Sequence, residues 1–128
     1  MGRSRRRRRA RLGWALAAAC WLAGSWAQSA GPQDRAAAES LFQAGKRMLA
    51  AGKVADACRK FEESQRLDPQ GGTLLALGMC HEKEGKLATA WVEYREAGAA
   101  AKAANRPDRA AIANKAAAAI EPRLPACR

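Results

Sequence analysis

A chain of 128 residues has room for one domain, and a formal charge of +11 raises the question of an anionic partner. The distribution excludes nucleic acid: seven of the 23 basic residues lie within residues 1–27, which hold no acid, and the remainder sets 16 Lys and Arg against 12 Asp and Glu. A net of +4 with the signs interspersed is a solvated surface, without the basic stripe that follows a phosphate backbone.

The opening MGRSRRRRRARLGWALAAACWLAGSWAQSA sets its arginines before an apolar run from Leu12 to Ala27, the basic and apolar parts of a secretory signal. The arginines hold their end on the cytoplasmic side while the apolar part crosses. Ser25 and Ala27 supply the two small residues that a signal peptidase reads, which predicts a signal peptide over 1–27, cleavage after Ala27 and a mature start at Gln28. Three alternatives fit less well. An uncleaved anchor, the one way the chain would stay in a membrane, needs roughly twenty apolar residues, and about sixteen are present. A lipoprotein would use Cys20, but Ala17 stands where leucine is usual. Myristoylation at Gly2 needs Ser or Thr at position 6, which is Arg6. The expected location is therefore outside the cytoplasm, in the periplasm or cell envelope.

Residues 28–35 read as a linker, and from residue 36 the small and apolar positions recur at helical spacing: Leu41, Ala44, Gly45 and Met48, then Ala57, Phe61 and Ser64. Gly52 ends the first helix by taking the left-handed conformation. A second helix spans Val54 to Leu67 and closes at Asp68-Pro69, because proline biases its predecessor away from helix. The next unit repeats the plan with Leu74, Leu77, Gly78 and His81, then Gly85, Ala90, Tyr94 and Ala97. GKVADACRKFEES at 52–64 and GKLATAWVEYREA at 85–97 stand at a constant offset of 33. Lys102 occupies the position where a closing proline would recur, so the fourth helix runs on toward Asn105. Pro107 suits the first turn of a fifth helix, whose Ile112, Ala116 and Ile120 form a stripe that can cover the second hairpin. The predicted organisation is all-α: two helical hairpins over 36–106 (about 38–69 and 71–104), a capping helix over 107–124 and a tail over 125–128, stacked as a short solenoid.

These residues resemble the tetratricopeptide repeat, whose signature is an aromatic or leucine, Leu-Gly, Tyr, Ala-x3-Phe and a final Pro over about 34 residues. The first copy has Leu41, Ala44-Gly45, Met48, Ala57-x3-Phe61 and Pro69; the second has Leu74, Leu77-Gly78, His81 and Ala90-x3-Tyr94. The resemblance implies a peptide or protein partner, or a second copy of the chain, held in a groove lined by the first helix of each pair. By repeat position that groove would present Phe42, Lys46 and Leu49, then Leu75, Met79 and Glu82. It also implies that a β-rich domain follows such a segment in exported proteins of this kind.

The sequence offers no catalytic motif: there is no CxxC, HExxH, glycine-rich phosphate loop or GxSxG. The single histidine, His81, stands in a packing position, and one neighbouring cysteine is too few donors for zinc, so no metal or cofactor is expected. The acids of FEES (61–64) and EKE (82–84) read as solvated helix faces. Cys58 lies eleven residues before Pro69 and Cys80 eleven after, at equal heights on antiparallel helices, which predicts a disulfide between them in an oxidising compartment and leaves Cys127 unpaired. The resulting reading is a non-enzymatic interaction module of the bacterial cell envelope. A thiol-redox or thiol-sensing protein using Cys58 and Cys80 is the alternative.

Overall fold

The computed structural model describes residues 29–126. The signal segment, Cys20, the expected start at Gln28 and Cys127 lie outside the described residues. Five α-helices follow one another: α1 (Pro32–Ala50), α2 (Val54–Leu67), α3 (Gly71–Lys83), α4 (Leu87–Ala103) and α5 (Pro107–Ile120), with a closing 3-10 turn over Glu121–Arg123. The described residues contain no strand, and the fold is all-α. Each helix packs chiefly on its chain neighbours, with α1 against α2 and α3 against α4 as hairpins and α5 laid on α4. No helix among the described residues is long and apolar enough to cross a membrane.

The hairpins are alike down to their turns. Gly52 and Gly85 both adopt φ +77°, and the following Lys53 and Lys86 donate their amides to Met48 O and His81 O, each at 2.9 Å. The conformation is open to glycine without steric penalty. The connection from α4 to α5 uses the same device a third time, with Asn105 at φ 53° and Arg106 N bonded to Ala101 O at 2.8 Å. Asparagine is among the few other residues that tolerate this region.

The expected linker over 28–35 is shorter than the sequence suggests, because α1 begins at Pro32. Gly31 is extended, Pro32 occupies the first turn, and the Gly31 amide donates to Asp34 Oδ2 at 3.2 Å. Capping chemistry starts this helix a full turn and more before its first buried residue, Ala38.

Two apolar clusters form the core. Ala57, Cys58, Phe61, Leu77 and Cys80 join α2 to α3, and Ala90, Tyr94, Ala117 and Ile120 join α4 to α5. Gly45 and Gly78 are buried beneath the rings of Phe61 and Tyr94, whereas Leu41 and Leu74 are half-buried. Ser64 donates its hydroxyl to Ala38 O at 2.8 Å, tying the far end of the first hairpin. The expected stripe on α5 is rotated: Ala113, Ala117 and Ile120 are buried while Ile112 is 58% exposed. Small residues meet here, because Ala97, Gly98 and Ala101 of α4 bring the two backbones close and leave no room for a branched side chain at the upper contact. The capping helix itself ends at Ile120, where Pro122 cannot continue the amide ladder, so the expected span to 124 finishes as a 3-10 turn.

Candidate functional site

Between α1 and α3 the chain leaves an open hollow of about 460 Å³. Its lining includes Phe42, Lys46 and Leu49 from α1 and Leu75, Ala76 and Met79 from α3, with the edge of Phe61 as part of its floor. Five of the six groove residues expected from repeat position thus face one space. The floor is apolar and partly wet, since Met79 is 46% exposed. Phe42 stacks at an angle on Phe61, with centroids 5.5 Å apart, and Lys46 Nζ lies 5.8 Å from the Phe42 centroid, so one cation stands at the rim. A smaller polar hollow of about 220 Å³ adjoins it, sharing Phe42 and Gly72 and bringing in Arg35, Glu39, Asp68 and Arg109.

Glu82 is the exception. Its Oε2 accepts a hydrogen bond from Tyr94 Oη at 2.9 Å, and its Oε1 pairs with Arg123 at 3.2 Å. These partners lie on α4 and in the closing turn, so the carboxylate ties the second hairpin to the carboxy-terminal end rather than lining the hollow. The same hydrogen bond and the burial of the ring push the Tyr94 phenol well above its ordinary pKa, burial being the larger cause.

Of the acids expected as solvated faces, Glu62 and Glu63 keep side chains 54% and 43% exposed, whereas Glu82 and Glu84 are partly buried. His81 is 4% exposed and stands between carboxylates of two other helices: Nδ1 lies 2.8 Å from Glu93 Oε2 on α4, and Nε2 lies 3.4 Å from Glu62 Oε1 on α2. α3 is flanked by α2 and α4, so Glu62 and Glu93 approach the buried ring of His81 from either side. Burial raises the Glu93 pKa, and the bond from His81 opposes that shift. Glu84 pairs with Lys86 at 2.7 Å; that contact holds the carboxyl below its ordinary pKa and the ammonium above its own. The His81–Glu93 and Glu82–Tyr94 contacts each join residues twelve apart. Both pairs bridge the α3–α4 hairpin, and the hairpin read from the sequence is the signal that could have brought these acids near His81 and Tyr94.

Cys58 and Cys80 form a disulfide with Cα atoms 5.6 Å apart, as expected, and both residues are buried in the α2–α3 core. No protein-family model, curated protein or solved structure matches the chain.

Proposed function

We propose that this protein is a non-enzymatic interaction module of the tetratricopeptide kind, exported to the bacterial cell envelope, which holds a peptide or protein segment in the hollow between α1 and α3. The observation that carries the reading is the convergence of Phe42, Lys46, Leu49, Leu75 and Met79 on one apolar space. They come from both hairpins and occupy the groove positions that the resemblance implies. An apolar floor of this volume takes one or two anchoring side chains, and Lys46 at the rim favours an acidic group beside them. An amphipathic helix or an extended segment can both present such anchors. The thiol-redox alternative has less support, since Cys58 and Cys80 are 3% and 0% exposed and a reductant reaches them only when the α2–α3 contact opens.

Capture from envelope extract tests the proposal. Exported protein carrying a photo-reactive residue at position 46 should yield a discrete adduct, and Met79→Glu should abolish it while leaving the helical content intact. Met79 is exposed, so its replacement leaves the core untouched. An adduct that survives Met79→Glu, or one formed equally from position 92 on the opposite hairpin face, would refute the assignment of the hollow.

A further inference from the structure

Reduction of the Cys58–Cys80 bond would leave two thiols on facing helices, and their surroundings are not inert. Cys58 Sγ, a ring nitrogen of His81 and a carboxylate oxygen of Glu84 lie within 4.8 Å of one another. Cys80 Sγ, bonded to Cys58, belongs to the same volume. Four donors therefore converge, one from α2 and three from the end of α3 or the turn that follows it. The sequence alone offered one histidine and one neighbouring cysteine. Folding adds Cys58 and Glu84.

We propose that the reduced protein holds a zinc-class divalent metal at Cys58, Cys80, His81 and Glu84, so that disulfide and metal are alternative occupants of one position. Two thiolates, an imidazole and a carboxylate make a four-coordinate set suited to a borderline-soft cation. In tetrahedral zinc, bonds of about 2.3 Å to sulfur and about 2.0–2.1 Å to nitrogen and oxygen set the ligand atoms roughly 3.3–3.8 Å apart. The imidazole and carboxylate must close by about 1 Å, and the parted sulfurs must separate by roughly 2 Å, both within side-chain reach.

The outer partners are in place as well. His81 Nδ1 lies 2.8 Å from Glu93 Oε2, a contact that fixes the orientation of the ring. Glu84 Oε2 is buried and pairs with Lys86 Nζ at 2.7 Å, whose side chain is 56% exposed and can withdraw into solvent. Glu62 adds a further negative charge 3.4 Å from Nε2. A dication would add positive charge where Glu62, Glu84 and Glu93 gather around His81.

The chemistry balances with a dithiol reductant. Its two electrons and two protons cleave the S–S bond and yield the thiols of Cys58 and Cys80, while the reductant closes to its own disulfide. Metal binding then displaces the two thiol protons. Transfer of two electrons from the thiolates to an acceptor disulfide re-forms the Cys58–Cys80 bond and releases the metal.

Cobalt(II) is the probe, titrated without oxygen into full-length chain carrying Cys20→Ser and Cys127→Ser, so that only the buried pair can supply thiolate. After reduction with a phosphine, one equivalent should generate thiolate-to-cobalt charge transfer and the intense visible bands of a tetrahedral site. Zinc should bleach both, and oxidised protein should give neither. His81→Gln and Glu84→Gln should each weaken binding at least tenfold, Glu93→Gln by about 10- to 100-fold through the lost outer contact, and exposed Glu96→Gln not at all. Circular dichroism follows the fold throughout. Reduced, helical protein without these bands would overturn the proposal. So would bands indifferent to both His81→Gln and Glu84→Gln, or a reduced chain that loses its helices and does not regain them with metal.

Discussion

The ring of Tyr94 lies so close over Gly78 that a β-carbon at position 78 would fall 2.5 Å from Cδ1. Gly45 stands in the same relation to Phe61, at 2.7 Å from Cε1. Both rings are fully buried and cannot move aside. Gly78→Ala gains about 1 kcal/mol of helix propensity but meets an overpacking cost of roughly 1–3 kcal/mol, so the net is a loss of about 1 kcal/mol. Gly72 supplies the contrast, since its added carbon would meet only the movable guanidinium of Arg109 at 3.2 Å. Gly72→Ala should stabilise by about 0.5 kcal/mol. Urea denaturation of the two variants measures the sign directly, and equal effects would contradict the packing described.

The inner helix boundaries and the recurring positions Gly45, Phe61, Gly78 and Tyr94 were legible because they repeat at a constant offset, while the stacking of each ring on its glycine is what the structure adds. What occurs once was harder to read. The rotation of α5 depends on Gly98, where a β-carbon would fall 2.6 Å from Asn114 Oδ1, and no second copy of that contact exists to calibrate it. The start of α1 is set by Asp34 and Pro32 rather than by periodicity. Glu82 was assigned to the groove by position, yet the Tyr94 hydroxyl, which Phe61 lacks, draws its carboxylate toward α4. The acids against His81, Glu62 of α2 and Glu93 of α4, become its neighbours only once the hairpins stack.

Loss of the Cys58–Cys80 bond should cost the oxidised protein about 3 kcal/mol, the chain-entropy value for a loop closed across 22 residues. Cys58→Ala with Cys80→Ala removes the bond without leaving one buried thiol unpaired. The double variant should unfold at lower denaturant than wild type under oxidising conditions. Its midpoint should be indifferent to added reductant, whereas the wild-type midpoint falls.

Tyr94 is the only tyrosine, so its ionisation can be followed without interference. Its folded pKa is raised by burial and then by the bond to Glu82. A raised value means that the stabilisation is complete below the unfolded pKa of about 10 and is lost as pH rises toward the folded one. The phenolate absorbance should therefore appear together with loss of helix rather than before it. Tyr94→Phe should cost about 0.5–1.5 kcal/mol at neutral pH through the missing hydrogen bond, and should flatten the alkaline decline relative to wild type. A phenol that titrates at its ordinary pKa in fully helical protein would contradict the placement of the hydroxyl.

The two isoleucines of α5 decide how that helix is turned. Ile120 is fully buried against Ala90 and Tyr94, and Ile112, two turns earlier, is 58% exposed. A stripe running through Ile112, Ala116 and Ile120 would make both side chains part of the core, and both truncations would then be costly. With Ala113 and Ala117 inward instead, only one is. Ile120→Ala should destabilise by roughly 2–5 kcal/mol, because it removes buried methyl groups and leaves a cavity beside the Tyr94 ring. Ile112→Ala should stay within about 0.5 kcal/mol of wild type, as for other exposed positions. Ala113→Leu supplies the converse test, since the residue is 0% exposed and its Cβ lies 3.7 Å from where a β-carbon on Gly98 would stand. Its larger side chain should lower stability by roughly 1–3 kcal/mol through overpacking. Chemical denaturation of the three variants separates the two rotations, and a large loss from Ile112→Ala with a small one from Ala113→Leu would restore the stripe read from the sequence.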